Sequence, residues 1–286
     1  MIETGLGGRL DATNVLHPSL TITTHISRDH TEILGSTIRK IALEKAGIIK
    51  PRVPHLIGVL PGAAGRVMDE ICGRQKAPLF RVEASECRHD NDNLRLEYRG
   101  ERINLTGLSL PLRGEHQLRN CAVALKAVEI LSDRGFVIER TSIRKGLEHI
   151  GWAGRFQVIR ENSKPILVLD VCHNDSGAAA FAETFAQEFP GRKTEIILGL
   201  VKRKEHRRIV RSLSSIAKGF SLVPLKTRRS TDIRELVTDL NWNGVPVKTY
   251  GRLGTAYSHL LKSADSGDII SIVGSHYLVG EFLRNC

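Results

Sequence analysis

Five short runs rich in branched apolar residues, at 165–169, 195–198, 220–224, 247–250 and 269–273, alternate with segments of helical pattern. Runs of this length read as strands buried on both faces. Parallel neighbours among them need a long crossover, and the intervening helices supply it. The second half of the chain is therefore predicted to be a doubly wound, Rossmann-like α/β domain, a parallel sheet with helices on both faces.

The first half follows the same grammar less completely. Residues 20–26 predict a strand, 37–49 a helix closed by Gly47 with Pro51 just beyond, 55–60 a strand and 63–74 a helix. From 80 to 112 polar and apolar residues alternate, with turn signals at Asn91-Asp92-Asn93 and Arg99-Gly100-Glu101, which predicts a small antiparallel insertion. Helices resume at 117–131 and 141–148, and a glycine-containing connector lies at 151–155. The expected division is 1–152 and 153–286. Met1 and Ile2 read as the last residues of a strand entering the loop at Glu3, so the chain is expected to start inside a domain, with the front of its first sheet cut away.

Composition narrows the function classes. Hydrophobic residues are 41% and charged residues 26% of the 286, which is ordinary for a globular chain. No apolar run is long enough to cross a bilayer, and Glu3 interrupts any signal-peptide pattern. The five cysteines are scattered with no C-x-x-C pair, which predicts reduced thiols in a cytoplasmic protein and no zinc site. A net charge of +11 suits anionic small substrates; with aromatics at 5% and no basic stretch interleaved with them, nucleic acid is not an expected partner.

Several residues could carry chemistry. Glu3 and His30 follow strand ends, where ligands gather in open parallel sheets, and could each give one ligand to a phosphate-bound magnesium. They could equally cap the glycine turn and the following helix. Lys45 has Ile41, Ala42, Ile48 and Ile49 as helical neighbours; an amine on such a stripe either loses its charge, and can then form a carbamate, or snorkels to water. Asp170-Val171-Cys172-His173-Asn174-Asp175 sits at a strand-to-helix turn, a place for phosphates and substrates or simply for an N-cap. Gly274-Ser275-His276-Tyr277 is a weaker site of the same kind. Cys172 reads as a packed thiol. No Gly-Lys dipeptide occurs, so the chain carries no Walker-type phosphate cradle.

Together these segments resemble the folylpolyglutamate synthase and dihydrofolate synthase family, relatives of the Mur ligases. The resemblance rests on Glu3-Thr4-Gly5-Leu6-Gly7-Gly8-Arg9-Leu10-Asp11-Ala12-Thr13-Asn14, on Asp29-His30-Thr31-Glu32-Ile33-Leu34-Gly35, and on Glu44-Lys45-Ala46-Gly47-Ile48-Ile49-Lys50-Pro51. Further along it rests on His116-Gln117 with Asn120, on Trp152-Ala153-Gly154-Arg155, on Asp170 with His173-Asn174, and on Gly274-Ser275 with Tyr277-Leu278-Val279-Gly280. It implies a central ATPase domain, truncated here, followed by a C-terminal glutamate-ligase domain. It also implies ATP-dependent addition of L-glutamate to dihydropteroate, to tetrahydrofolate or its polyglutamates, or to both, through an acyl phosphate, by a monomer.

Position by position, the resemblance makes Glu3 and His30 magnesium ligands and Lys45 a carbamylated lysine that is both ligand and catalytic group. It makes Arg9, Leu10, Asp11 and Ala12 pterin contacts, and Asn120, Arg155 and Asp170 ATP contacts, with His173 catalytic beside the nucleotide. The family's first strand and phosphate loop have no counterpart here, so the 286 residues alone are expected to be inactive. Arg28 stands where the family has a small or apolar residue, Val171-Cys172 replaces a Gly-Ala pair, and Asp175 replaces a proline. A degenerate binding relative and a Mur-type cell-wall ligase are the competing readings.

Overall fold

The computed structural model describes residues 1–83, 85–89, 95–202, 206–240 and 244–285. It divides into two compact units, one of Met1–Pro111 with Glu115–Ile150 and the other of Leu112–Gly114 with Gly151–Cys286.

In the first unit β1 (Thr21–Thr23), β2 (His55–Ile57) and β3 (Leu79–Arg81) form a parallel sheet in that order. Between β1 and β2 lie α1 (Thr31–Leu34) and α2 (Ile38–Ala46); α3 (Gly62–Gln75) crosses from β2 to β3. Helix α2 begins where the Thr37 side chain accepts the Lys40 N–H at 3.2 Å, which satisfies one of the orphan donors of its first turn. Ile41, Ala42 and Ala46 of α2 pack with Val67 and Met68 of α3, Ile26 and Ile57.

The same unit holds an antiparallel sheet of β4 (Cys87–His89), β5 (Leu96–Arg99) and β6 (Asn104–Leu108), covered by α4 (Glu115–Asp133) and α5 (Arg140–Glu148). Tyr98, Leu105 and Leu108 share a core with Leu118, Ala122, Leu125 and Leu147. Lys126 of α4, only 3% exposed, pairs with Glu101 at 2.9 Å, Glu129 at 3.2 Å and Glu86 at 3.7 Å. A lysine so buried persists only because it is paired on several sides.

Two sequence expectations change here. Met1 and Ile2 belong to no strand and are fully exposed. Phe80 and Arg81, expected in the insertion, pair in parallel with Leu56 and Ile57, because the helix before them returns the chain to the edge of the parallel sheet. The antiparallel ribbon thus starts at Cys87. Its Arg99-Gly100-Glu101 turn is closed by the Gly100 N–H donating to Ile103 O at 3.0 Å, whereas Asn91-Asp92-Asn93 lies outside the described residues.

The second unit is one six-stranded sheet. Its elements are β7 (Gln157–Ile159), β8 (Ile166–Asp170), α6 (Asp175–Glu188), β9 (Thr194–Leu198), α7 (His206–Ser214), β10 (Ala217–Leu222), α8 (Ile233–Leu240), β11 (Val247–Thr249), α9 (Leu253–Ser263), β12 (Ile269–Val273) and α10 (His276–Asn285). The strand order is β11-β10-β9-β12-β8-β7, parallel throughout except for β7, which runs antiparallel to β8. That edge strand is absent from the sequence expectation, because Gln157-Val158-Ile159 is short and only half-buried.

Helices α6, α7 and α8 cover one face, with Phe181, Phe185, Ile209, Val210, Leu236 and Leu240 inward. Helices α9 and α10 cover the other, with Leu253, Ala256, Leu260, Leu278 and Phe282 inward. Each such side chain contributes about 1.5–3 kcal/mol when fully buried. The neighbours β8 and β12 therefore send their following helices to opposite faces, the switch point at which open α/β sheets place a ligand crevice beyond the strands' carboxyl ends. No helix among the described residues is long and apolar enough to cross a membrane.

Candidate functional site

In the first unit the glycine-rich stretch folds as a loop gathered by one side chain. The Asp11 carboxylate accepts the N–H groups of Gly5 (2.8 Å), Leu6 (3.2 Å) and Thr13 (3.0 Å) and the Thr13 hydroxyl (2.6 Å). The Thr13 hydroxyl and N–H, followed by the N–H groups of Leu6 and Gly5, stabilise the anion and bring its pKa down to about 2. Asp11, not Glu3, is thus the residue that holds the turn.

The loop seats on α1 and α2. Arg9 N–H donates to Glu44 O at 2.8 Å, and its guanidinium reaches the Glu44 carboxylate at 3.0 Å. Asn14 Nδ2 donates to Gly47 O at 3.1 Å. A Cβ on Gly47 would stand 2.4 Å from Arg9, so the approach requires glycine at that position. Leu10, 80% exposed, and Ala12 face solvent beside exposed Val15 and Leu16, which leaves an apolar rim on the loop.

Of the unit's other candidates, His30 and Lys45 lie on the two helices against which this loop packs. His30 occupies the N-cap of α1 at φ 50°, a left-handed conformation that is strained for a side chain, and its ring makes no capping hydrogen bond. Its N–H donates to Asp29 Oδ1 at 2.8 Å, and Nε2 lies 3.8 Å from the same oxygen. The Glu3 carboxylate is exposed and Lys45 half-buried, each without a hydrogen bond or ion pair among the described residues. Asn120, on the exposed side of α4, donates to Gln117 Oε1 at 3.0 Å.

Among the described residues no three or more His, Cys, Asp or Glu side chains stand close enough to hold a metal ion. One carboxylate and one imidazole suit a magnesium whose remaining positions go to water and substrate phosphates rather than a closed protein cage. The unpaired Glu3 carboxylate fits that partial donor set.

In the second unit Asp170, at the carboxyl end of β8 and 8% exposed, is the organising residue. Its Oδ2 accepts the Phe156 N–H at 2.8 Å and its Oδ1 the Cys172 N–H at 2.7 Å. Val171 N–H donates to Gly154 O at 2.9 Å, and Gly154 N–H to Gln157 Oε1 at 3.0 Å. The connector that carries Arg155 is thereby stitched to the loop that carries His173. Phe156 sits at φ 43° to make this turn. Burial pushes the Asp170 carboxyl up, opposed by the two N–H donors and the Arg155 guanidinium. Burial also pushes the Cys172 thiol well up, with Asp170 adding to it, so this cysteine is not a thiolate nucleophile.

Asn174 caps α6, its Oδ1 accepting the Gly177 N–H at 2.9 Å. His173, with Nδ1 3.1 Å from Val171 O, and His276, first residue of α10, approach with ring centres 5.6 Å apart at the mouth of the crevice. Burial, then His173 and Arg155, push the His276 imidazole below its ordinary value. Gly274 takes φ 118°, and a Cβ there would meet Gly199 O at 2.6 Å, so only glycine brings β12 into this turn. Ser275 Oγ accepts the Leu278 N–H at 3.1 Å and caps α10. The crevice thus holds an exposed arginine, a buried carboxylate, two imidazoles and the first turns of two helices, a set that can bind anionic groups and move protons.

Residues 154–276 match the Mur ligase glutamate ligase domain. Over 99% of its length the chain is 30% identical to the dihydrofolate synthase/folylpolyglutamate synthase of Bacillus subtilis (strain 168), covering 66% of that protein. The folylpolyglutamate synthase of Mycobacterium tuberculosis, solved with ADP and AMPPCP, superposes with a TM-score of 0.87 at 29% identity, over 99% of this chain and 67% of that one. The bifunctional enzyme of Yersinia pestis with AMPPNP and a manganese ion gives a TM-score of 0.83 at 27% identity, over 98% and 64%. The chain spans about two thirds of the length of these three relatives.

Proposed function

This chain belongs to the dihydrofolate synthase/folylpolyglutamate synthase family, and from that premise we propose that it joins L-glutamate to a pterin-bearing carboxylate at the expense of ATP. The observation that carries the reading is the crevice beyond β8 and β12, which lies inside the segment matching a glutamate ligase domain.

In this reading the substrate carboxylate attacks the γ-phosphorus of ATP and ADP leaves with the bridging oxygen. The glutamate amine then attacks the acyl carbon, loses a proton and expels phosphate. Arg155 faces the charge that develops on the transferring phosphoryl group, and His173 handles the proton released by the amine. In the second unit Asp170 acts on the nucleotide by holding the Arg155 connector in place, and Asn120 is the first unit's own ATP contact. Arg9 to Ala12 meet the pterin, with Leu10 supplying an exposed apolar contact and Asp11 fixing the loop's shape.

Glu3, His30 and a carbamate on Lys45 would hold magnesium, which when bound neutralises phosphate charge. The nucleotide and metal complexes of the Mycobacterium tuberculosis and Yersinia pestis proteins support this part of the reading. The protein works as a monomer in the cytoplasm; its buried, unpaired cysteines suit a reducing compartment.

The test is ATP-dependent incorporation of labelled L-glutamate, with dihydropteroate or tetrahydrofolate as acceptor. Arg155→Ala is expected to slow incorporation about 100-fold while leaving the urea midpoint unchanged. Incorporation into uridine-nucleotide-linked precursors instead, or pterin binding with no turnover on either acceptor even when a segment carrying a phosphate loop is joined ahead of Met1, overturns the proposal.

A further inference from the structure

Away from the crevice, the second unit carries a groove of about 630 Å³ between α9 and α10. Along α9 its wall is Arg252, Thr255, Ser258, His259 and Lys262, positions on one helical face spaced by three or four residues. Arg252 is the N-cap and Lys262 lies in the last turn, so the two side chains leave the backbone roughly 15 Å apart along the axis, at 1.5 Å per residue.

The opposite wall is Glu281 and Asn285 of α10, and the Lys226 ammonium closes on Glu281 at 2.8 Å, cancelling the one carboxylate in the lining. Leu253 and Phe282 form the floor, but both are buried, so the groove offers polar contact and little apolar surface. Arg252 hydrogen-bonds only Thr255, at 3.1 Å, and neither Arg252 nor Lys262 has an acidic partner among the described residues. No acidic residue occupies the first turn of α9, and the Arg252 side chain caps none of its N–H groups.

The geometry points to a binding site for an extended polycarboxylate, an acidic peptide of four to five residues laid along α9. The match is one of charge and length. Two unpaired cations rooted roughly 15 Å apart on one helix face suit carboxylates on a chain that advances about 3.3–3.6 Å per residue. A compact anion could engage only one end. This inference does not depend on the ligase reading, since none of its residues belongs to the crevice.

The experiment is titration of the full chain with tetraglutamate at low salt and again at 0.3 M salt, followed by calorimetry and amide chemical shifts. Tetraglutamate is expected to shift α9 amides at both ends of the helix, and tetra-alanine to shift none. Arg252→Glu and Lys262→Glu should each weaken binding roughly fivefold to tenfold, and added salt should do the same. Arg140→Glu, an equal charge change on exposed α5, should leave it within about twofold. Equal binding of tetra-alanine, indifference to both groove variants, or full displacement of tetraglutamate by equimolar inorganic phosphate overturns the proposal.

Discussion

Two loops of this protein are built by the same device in opposite surroundings. At the surface of the first unit Asp11 draws together the N–H groups of Gly5, Leu6 and Thr13; inside the second, Asp170 draws together those of Phe156 and Cys172. The Asp11 carboxylate is pulled down to about 2 because its hydrogen bonds outweigh a small desolvation, whereas burial drives the enclosed one upward despite them. The same donors therefore give a cheap, solvent-tolerant clasp in one place and a costly, rigid one in the other. The Asp11 loop is held from outside, whereas the connector that carries Arg155 is held from within.

The sharpest way to break this contrast is Asp170→Ala. It leaves two buried N–H groups without acceptors, and urea unfolding should lose about 2–6 kcal/mol at about 1–3 kcal/mol for each. A loss under about 1 kcal/mol would mean that water enters freely and that the two loops are alike after all.

Acid extends the comparison to the sheets. His55 on β2 is fully buried between Thr21 (2.8 Å) and Thr23 (3.3 Å), and burial lowers its pKa to about 4. The unfolded chain then binds the proton more readily, so this stability is whole above about pH 6.5 and drains away towards pH 4, by about 3 kcal/mol. Asp170 has the opposite sign: with a raised folded pKa it favours the folded state increasingly as pH falls towards 3.8. Amide exchange at pH 7.5 and 4.5 should show β1–β3 losing protection while β8 and β12 keep theirs. Simultaneous loss in both units would refute the assignment.

A smaller effect belongs to Gly274→Ala, where positive φ and the 2.6 Å approach to Gly199 O should cost about 2 kcal/mol in thermal unfolding. Smallest is Asp11→Asn. Its urea midpoint should stay near wild type, while exchange of the Gly5, Leu6 and Thr13 amides speeds up. Asp11 holds its bonds above about pH 3.8 and releases them as pH falls through about 2, so the wild-type loop should loosen in that window too.

The strands that were legible are those whose burial is written locally. Ile269–Val273 and Ile166–Asp170 are buried at every position, and their branched side chains announce it. The strand at Leu79–Arg81 was misplaced because its partner, β2, lies a whole helix away, and alternation alone cannot tell a parallel edge from a ribbon. The site was legible as residue types. That Asp170 spends both oxygens on backbone depends on Phe156, fourteen positions upstream, adopting a left-handed turn, and no local pattern encodes that. Lys45 shows the same limit, since helical spacing gives its face but not its half-buried depth.

The antiparallel β7 also sets how the second unit bears load. Tension on the connector would open the β7–β8 hairpin like a zipper, beginning at the Gln157 and Leu169 pair. The Phe156 bond to Asp170 lies at that opening end, so the Arg155 connector would slacken while the parallel strands behind it, gripped in shear, still held. Mechanically, the site is a fuse placed ahead of the core.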